Sequence, residues 1–310
     1  MLLSLANVLA VFGVGCDGEP VGAPAVGCQA EANVLCGRPL NLAHRGGGNL
    51  RPENTLEAFR NAVSVGADVL ELDVQRTADD VIVVIHDATV DRTTDGTGAV
   101  GDLLFAELEQ LDAGYWFTTD GGATYPYRGM AIRIPTLEQV LAAHPSMHFS
   151  IEIKDTAPTV TPVLAMISAH GLADQVVIAS FYDRVLGEVR DQAPAMLTTM
   201  SLGEMVEFAQ LTETTELTYA PPAAIIQAPV DELTDGVIAR AHRMNLVVQA
   251  WTVDDVAMMS DLLARGVDGI ITNLPDQLAA VISAPSTPPR VRSMRRRRRR
   301  CQTPRRSTRR

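Results

Sequence analysis

The chain of 310 residues, with 46% hydrophobic and 20% charged residues, has the size and composition of one large globular α/β domain or two small ones. Its net charge of −11 conceals two regions. Residues 290–310 contain 12 of the 26 basic residues and no acid, which leaves 14 basic against 37 acidic residues elsewhere. Such an acidic body excludes nucleic-acid binding through a bulk electrostatic field, and no nucleic-acid partner is expected.

The predicted elements begin with a leader and tether over residues 1–38. The first fifteen residues are almost wholly apolar but fall short of the roughly 20 residues that a membrane-spanning helix needs, so they fit the core of a secretory signal. Gly15-Cys16 is similar to a bacterial lipoprotein processing site. We therefore expect a periplasmic or extracellular lipoprotein of the cell envelope, tethered to the membrane through acylated Cys16. Free secretion, or a cytoplasmic protein with an artefactual N-terminal segment, stays open.

From residue 39 to residue 284, short apolar stretches alternate with stretches of helical periodicity. The strands are expected at 40–44, 68–74, 81–86, 147–153, 175–180, 196–200, 223–227, 246–251 and 268–272. The helices are expected at 54–65, 102–112, 136–144, 158–170, 182–191, 203–210, 234–244, 254–264 and 275–282. Several helices begin with a side chain suited to N-capping, namely Asn54, Asp102, Thr136, Thr234 and Asp254.

Alternating strands and helices of this length predict a parallel sheet. The six residues between the strands at 68–74 and 81–86 are too few for a parallel crossover. These two strands are therefore expected to form an antiparallel hairpin, which places His86 level with Glu71. The other strands predict a distorted (β/α)8 TIM barrel, whose functional residues would lie at the C-terminal ends of the strands.

Two further segments do not fit the barrel pattern. The aromatic, glycine-rich segment 113–135 is too long for a simple connection, and we expect it to be a small inserted lid over the site. Residues 285–310 are expected to form a disordered Arg-rich tail.

Two carboxylates, Glu71 and Asp73, alternate with apolar residues on a predicted strand and therefore point to the same side. They would raise each other's pKa unless positive charge lay between them. A single divalent cation, Ca²⁺ or Mg²⁺, prefers such oxygen ligands, and Glu152 is a candidate third ligand. In the alternative interpretation, one carboxylate pairs with Arg45 or Lys154 and no metal binds.

His44 and His86 each follow an apolar strand and begin a polar loop. Either histidine alone would more often be a hydrogen-bonded core residue, but together they suit a general acid and a general base. Arg45 can bind a phosphate oxygen through its forked guanidinium. Lys154, the only lysine of the chain, shares a strand face with Glu152 and is a second candidate for phosphate binding.

Trp251 ends the predicted strand 246–251. It is expected either to form a wall of an apolar substrate pocket or to pack in the core. Taken together, the histidines, carboxylates and basic side chains suit the metal-assisted cleavage of a phosphate ester.

Eight short motifs occur in order between about residues 40 and 282. They are His44-Arg45-Gly46, Pro52-Glu53-Asn54-Thr55, Glu71-Leu72-Asp73-Val74, Val84-Ile85-His86-Asp87, Asp91-Arg92-Thr93-Thr94, Ile151-Glu152-Ile153-Lys154, Ala250-Trp251-Thr252-Val253 and Gly266-Val267-Asp268-Gly269-Ile270-Ile271-Thr272-Asn273. In this order they resemble the motifs of the glycerophosphodiester phosphodiesterase family.

The resemblance implies a barrel of the phospholipase-C-like phosphodiesterase type and the metal-dependent hydrolysis of glycerophosphodiesters to an alcohol and sn-glycerol 3-phosphate. The motif positions match His44 and His86 to the acid/base pair, Glu71, Asp73 and Glu152 to the cation ligands, Arg45 and Lys154 to phosphate binders, and Glu53 to a glutamate of the substrate pocket. Asn273 stands where many members have Asp. Two alternatives stay open, namely phospholipase D or C activity on lysophospholipids and a non-catalytic surface binding protein on the same barrel.

Overall fold

The computed structural model of the chain describes residues 37–154 and 158–284. All nine predicted strands are present, each within a few residues of its predicted limits. In chain order they are β1 (Leu40–Ala43), β2 (Val69–Arg76), β3 (Ile82–Val84), β4 (His148–Ile153), β5 (Val176–Ala179), β6 (Leu197–Thr198), β7 (Ile225–Pro229), β8 (Val247–Trp251) and β9 (Gly269–Thr272).

Eight strands, all except β3, lie side by side in the order β6-β5-β4-β2-β1-β9-β8-β7, and the pairs along this path are parallel. A parallel bridge between Thr199 and Ile225 joins the two ends of this order. The sheet is therefore a nearly closed parallel barrel, and the predicted distorted (β/α)8 fold is confirmed. The hairpin is confirmed as well, because β3 pairs with β2 antiparallel, with Val84 opposite Val74.

The helices of the described residues alternate with the strands. They are α1 (Leu56–Ser64), α2 (Phe105–Leu108), α3 (Leu137–Ala143), α4 (Val160–Ala169), α5 (Asp183–Gln192), α6 (Leu202–Ala209), α7 (Glu213–Glu216), α8 (Asp235–Arg243), α9 (Val256–Ala264) and α10 (Pro275–Ser283). None of them is long and apolar enough to cross a membrane. The short helix α7 was not predicted from the sequence.

The helix predicted at 102–112 is much shorter in the structure, where only α2 is α-helical. Its N-terminus is held by Glu107, whose carboxylate accepts the Leu104 N–H at 2.9 Å, so the prediction that Asp102 caps this helix is wrong. Beyond α2, the Asp112 carboxylate accepts the N–H groups of Gly114 and Gly129 at 3.0 and 2.6 Å. An aspartate that binds backbone in this way favours a turn over a helix.

Two predicted N-caps are confirmed and two others are displaced by one residue. Thr136 and Thr234 accept the backbone N–H three residues ahead, at 3.1 and 3.2 Å. For α1 and α9 the caps are Thr55 and Asp255 instead of the predicted Asn54 and Asp254. Both displaced side chains bind residues of the site instead, Asn54 to Asp73 and Asp254 to Asn273.

The barrel is filled by apolar side chains from strands that are far apart in the sequence. Residues of β1, β2, β7 and β9 form one buried cluster, which consists of Leu40, Leu42, Val69, Ile225 and Ile271. Larger clusters lie between the strands and the helices. Strands that are buried on both faces read as continuous apolar runs, which is why these segments were recognisable from the sequence.

The segment 113–135 packs beside the hairpin. Ala113 and Ile134 belong to a small buried cluster with Val83 and Ile85. Further out, the guanidinium of Arg128 lies between two aromatic rings of the segment, 4.1 and 3.9 Å from their centroids. The leader with Cys16 and the tail 285–310 lie outside the described residues, except for Gly37 and Arg38.

Candidate active site

A cavity of about 200 Å³ lies at the C-terminal ends of the barrel strands. One side of it carries the charged and titratable side chains, which are His44, Arg45, Glu71, His86, Glu152 and Lys154. The opposite side is largely apolar and includes Phe181, Met200, Leu202, Met205 and Trp251. Seven of the nine predicted site residues therefore line this cavity.

Trp251 lies in the apolar wall of the cavity, which agrees with its predicted place in the wall of an apolar pocket. Its ring meets that of Phe181 edge to face, with 5.8 Å between centroids. Phe181 also lies beneath Lys154, whose Nζ is 5.6 Å from the ring centroid. The apolar wall and the charged side consequently meet at Phe181.

The other two predicted site residues, Asp73 and Glu53, do not line the cavity. Asp73 is only 1% exposed and lies behind the lining residues. Glu53 pairs with the guanidinium of Arg45, with 2.9 Å between Oε1 and Nη1. No residue of segment 113–135 lines the cavity either, so its lid role stays a prediction.

A tight turn after β1 aims Arg45 into the site. Arg45 has a left-handed backbone with φ of 52°, and its N–H donates to Glu71 Oε2 at 2.7 Å. Gly46 follows with φ of 78°, and a Cβ there would come within 2.8 Å of the Ala58 Cβ. Only glycine tolerates both conditions, which explains the glycine directly after the His-Arg pair.

Three carboxylates converge at the charged side of the cavity. One oxygen each from Glu71, Asp73 and Glu152 lies within 4.8 Å of the others. The strand register produces this arrangement, because Asp73 of β2 stands opposite Glu152 of β4, and Glu71 shares the strand face of Asp73. Burial, reinforced by the neighbouring Asp73, raises the pKa of Glu71 well above its ordinary value.

These residues fit a hard divalent cation. Their donors are all carboxylate oxygens, which Ca²⁺ and Mg²⁺ prefer, and positive charge would relieve the repulsion that raises the pKa of Glu71. Lys154 supplies part of that charge, with its Nζ 3.1 Å from Asp73 and 2.8 Å from Glu152. Burial alone would lower the pKa of Lys154, but these carboxylates raise it, so the ammonium stays charged.

The two histidines have different partners at Nδ1. His44 Nδ1 lies 2.8 Å from Asn273 Oδ1, and the Asn273 Nδ2 group donates to Asp254 at 2.9 Å. This second bond orients the amide so that its oxygen faces His44, whose Nδ1 must then donate. Burial, followed by the charge of Arg45, lowers the pKa of His44 below 6.5.

The partner of His86 is a carboxylate. His86 Nδ1 lies 2.6 Å from Asp87 Oδ1. A hydrogen bond from Arg92 is the main influence that lowers the pKa of Asp87 to about 2, so this carboxylate is ionised at neutral pH. The carboxylate can only accept, so His86 Nδ1 carries the proton of this hydrogen bond.

Three residues of the site, Asn54, Arg92 and Asp254, were not predicted to belong to it. Asn54 has a left-handed backbone and donates to Asp73 Oδ2 at 2.8 Å. Asp254 orients Asn273, as described above, and Arg92 contacts both Glu53 and Asp87. The only signal for Asn54 and Arg92 was their place in two of the ordered motifs, because their contacts depend on loops folding against each other.

Comparisons with known proteins bear on the family of this chain. Residues 44–277 match the glycerophosphoryl diester phosphodiesterase family. A glycerophosphodiester phosphodiesterase of Bacillus subtilis is 33% identical over 269 residues, which cover 81% of this chain and 89% of that protein. The crystal structure of glycerophosphodiester phosphodiesterase from Agrobacterium tumefaciens is similar, with a TM-score of 0.67 and 30% identity over 78% of this chain and 99% of that chain.

A third similarity supports the fold. A phosphodiesterase from Oleispira antarctica, solved in complex with the product sn-glycerol-3-phosphate, has a TM-score of 0.68 and 24% identity, and covers 80% of this chain and 98% of that chain. The family match spans every predicted site residue, from His44 to Trp251. The chain therefore belongs to the glycerophosphoryl diester phosphodiesterase family and is an enzyme of the glycerophosphodiester phosphodiesterase class.

Proposed function

We propose that the enzyme hydrolyses glycerophosphodiesters to an alcohol and sn-glycerol 3-phosphate by metal-dependent, two-histidine acid/base catalysis. The observation that carries this proposal is the cavity itself, where two histidines with unlike partners face Arg45, Lys154 and the carboxylates. The sn-glycerol-3-phosphate found in the Oleispira antarctica phosphodiesterase supports the same product class.

Arg45 and Lys154 bind the phosphate in this proposal. Both side chains line the cavity and both are mostly buried, so their charges are only weakly screened by water. Glu71, Asp73 and Glu152 would hold one divalent cation, Ca²⁺ or Mg²⁺. When bound, such a cation supplies Lewis-acid stabilisation of the negative charge that grows on the phosphate.

The different partners of the two histidines support different roles for them. His44 donates through Nδ1 to a neutral amide and has a lowered pKa, so its ring is neutral and its Nε2 is free to accept a proton. We therefore assign His44 as the general base. His86 has the ionised Asp87 as its partner instead of a neutral amide, and on this difference we assign His86 as the general acid.

The reaction balances with these roles. His44 takes the proton of the nucleophile, which is either water or the glycerol 2-hydroxyl, while a bond forms from the nucleophile oxygen to phosphorus. The bond from phosphorus to the alcohol oxygen breaks, and His86 gives its proton to that oxygen. If the 2-hydroxyl attacks, water then opens the cyclic phosphate, with the histidines exchanging roles.

A direct assay tests the proposal. The enzyme is incubated with glycerophosphocholine, and sn-glycerol 3-phosphate is measured before chelation, after EDTA, and after Ca²⁺ or Mg²⁺ is added back. Release that is lost with EDTA and restored by one of the ions is expected. The same release in EDTA would contradict the metal requirement, and no release under any condition would contradict the activity.

The apolar wall favours a second candidate function, the hydrolysis of lysophospholipids. Phe181 and Leu202 line the cavity and are also 44% and 53% exposed, so apolar surface continues from the cavity to the outside. An acyl chain could follow this surface. Lysophosphatidylcholine assayed beside glycerophosphocholine distinguishes the two functions by their kcat/KM values.

The location of the enzyme is a separate proposal that rests on the sequence at Gly15-Cys16. We propose that acylation of Cys16 tethers the enzyme to a membrane of the cell envelope. The full-length protein should fractionate with membranes, and Cys16→Ser should move it to the soluble fraction. Equal membrane association of both proteins would contradict this proposal.

A further inference from the structure

Arg92 binds two carboxylates at once through forked hydrogen bonds. Its Nε and Nη2 donate to the two oxygens of Asp87, at 2.6 and 3.2 Å. Its Nη1 and Nη2 donate to the two oxygens of Glu53, at 2.7 Å each. Forked pairs of this kind fix direction as well as distance. Arg92 itself does not line the cavity.

Each of the two carboxylates also holds a residue of the cavity. Asp87 Oδ1 accepts from His86 Nδ1 at 2.6 Å, and Glu53 Oε1 accepts from Arg45 Nη1 at 2.9 Å. An unbroken series of charged contacts therefore joins His86 to Arg45, with Arg92 at its centre. We name this series, from His86 through Asp87, Arg92 and Glu53 to Arg45, the arginine bridge.

The topology explains why such a bridge is needed. His86 follows β3, which is only three residues long and lies outside the barrel order, whereas Arg45 follows β1 of the barrel. Gln75 of β2 donates its side-chain N–H to the His86 carbonyl at 2.9 Å, which fixes the main chain there but not the ring. Asp87 orients the ring, and Arg92 orients Asp87.

The charges of Glu53 and Asp87 also indicate that Arg92 is needed between them. Burial would raise the pKa of Glu53, but hydrogen bonds from Arg92 and the charge of Arg45 lower it to about 2, and the pKa of Asp87 is also about 2. Both groups are therefore anionic at neutral pH. Without Arg92 they would repel each other, and a lysine could not replace both forks because its ammonium has no planar pair of donors.

We propose that Arg92 is a positioning residue, which locks the general acid His86 and the phosphate-binding Arg45 into one geometry through Asp87 and Glu53. The inference rests on the proposed function, in which His86 protonates the leaving alcohol. It assigns to Arg92 an effect on two separate steps, the binding of phosphate and the protonation of the leaving group.

The experiment compares two esters of glycerol 3-phosphate. Glycerophosphocholine has an alcohol leaving group that needs a general acid, whereas the p-nitrophenyl ester releases a stable phenolate that does not. For Arg92→Gln we expect KM to rise for both esters. We also expect the ratio of kcat on glycerophosphocholine to kcat on the nitrophenyl ester to fall about 10-fold, because small misplacements of catalytic groups lower the rate by about this much or more.

Two further variants complete the test. Arg76→Gln is the matched control, because Arg76 pairs with Asp80 at the turn of the same hairpin and neither residue lines the cavity. It should keep the wild-type ratio. Arg92→Lys keeps the charge without the forks, and it should lower the ratio as Arg92→Gln does, even if Arg92→Gln proves too unstable to purify.

The outcomes are distinct. A lowered ratio in the Arg92 variants with an unchanged ratio in Arg76→Gln supports the positioning role. A wild-type ratio in the Arg92 variants overturns it, even if both rates fall together, because a purely structural role would slow both esters equally. Failure of the wild-type enzyme to cleave glycerophosphocholine would instead contradict the proposed function.

Discussion

His44 and His86 line the same cavity, but their Nδ1 atoms have different partners. The His44 side offers a neutral amide, Asn273, and lies at the end of a barrel strand. The His86 side offers an ionised carboxylate, Asp87, and lies at the end of an added hairpin. In the proposed mechanism this difference in the partner of Nδ1 separates the base, His44, from the acid, His86.

The largest expected effect is the loss of kcat when either histidine is removed, and this loss should depend on the leaving group of the substrate. His44→Ala and His86→Ala should each lower kcat on glycerophosphocholine by at least ~100-fold, because each removes an acid/base group. On the p-nitrophenyl ester of glycerol 3-phosphate, only His44→Ala should stay slow. Steady-state kinetics of both variants on both esters measures this effect. If the p-nitrophenyl ester restored the kcat of both variants equally, the two histidines would not have different roles.

The next effect concerns the amide partner of His44. Asn273→Ala removes the acceptor of His44 Nδ1, so kcat should fall about 10-fold on both esters, since the base is needed with either leaving group. Asp87→Asn, on the other side, should lower kcat mainly on glycerophosphocholine. Circular dichroism of both variants controls for folding. If the two substitutions gave the same pattern across the two esters, the assigned roles would be wrong.

The smallest expected effect is the pH at which kcat/KM declines on the acidic side of its pH profile. The base must be neutral, so kcat/KM falls as the pH drops through the pKa of His44, and rises to its plateau above it. Burial and Arg45 lower that pKa, and the acidic limb of the wild-type profile should therefore lie below pH 6.5. A limb at or above pH 6.5, measured in kcat/KM, would contradict a neutral, buried His44.

Much of the barrel could be predicted because its signals are local. The alternation of apolar and polar residues on β2 placed Glu71 and Asp73 on one face, and the short turn before β3 required a hairpin. Both inferences depend only on neighbours in the sequence. Glu71 and His86, which these two inferences concern, both line the cavity.

The helix ends show where local signals fail. Asn54 and Asp254 have the right chemistry for N-caps, yet their side chains bind Asp73 and Asn273 across the site. The neighbouring residues, Thr55 and Asp255, serve as caps instead. A polar side chain near a helix end can satisfy either a local or a distant partner, and only the folded chain decides which one it contacts.

The sequence by itself determined the barrel, the family and the identity of the catalytic candidates, because period-two alternation, turn length and ordered motifs are properties of adjacent residues. The tertiary structure alone decided what each group touches. It set Asn273 against His44, set Asp87 against His86 and placed Arg92 between Asp87 and Glu53. Proton affinity depends on such contacts within a few ångströms, and residues far apart in the chain provide them.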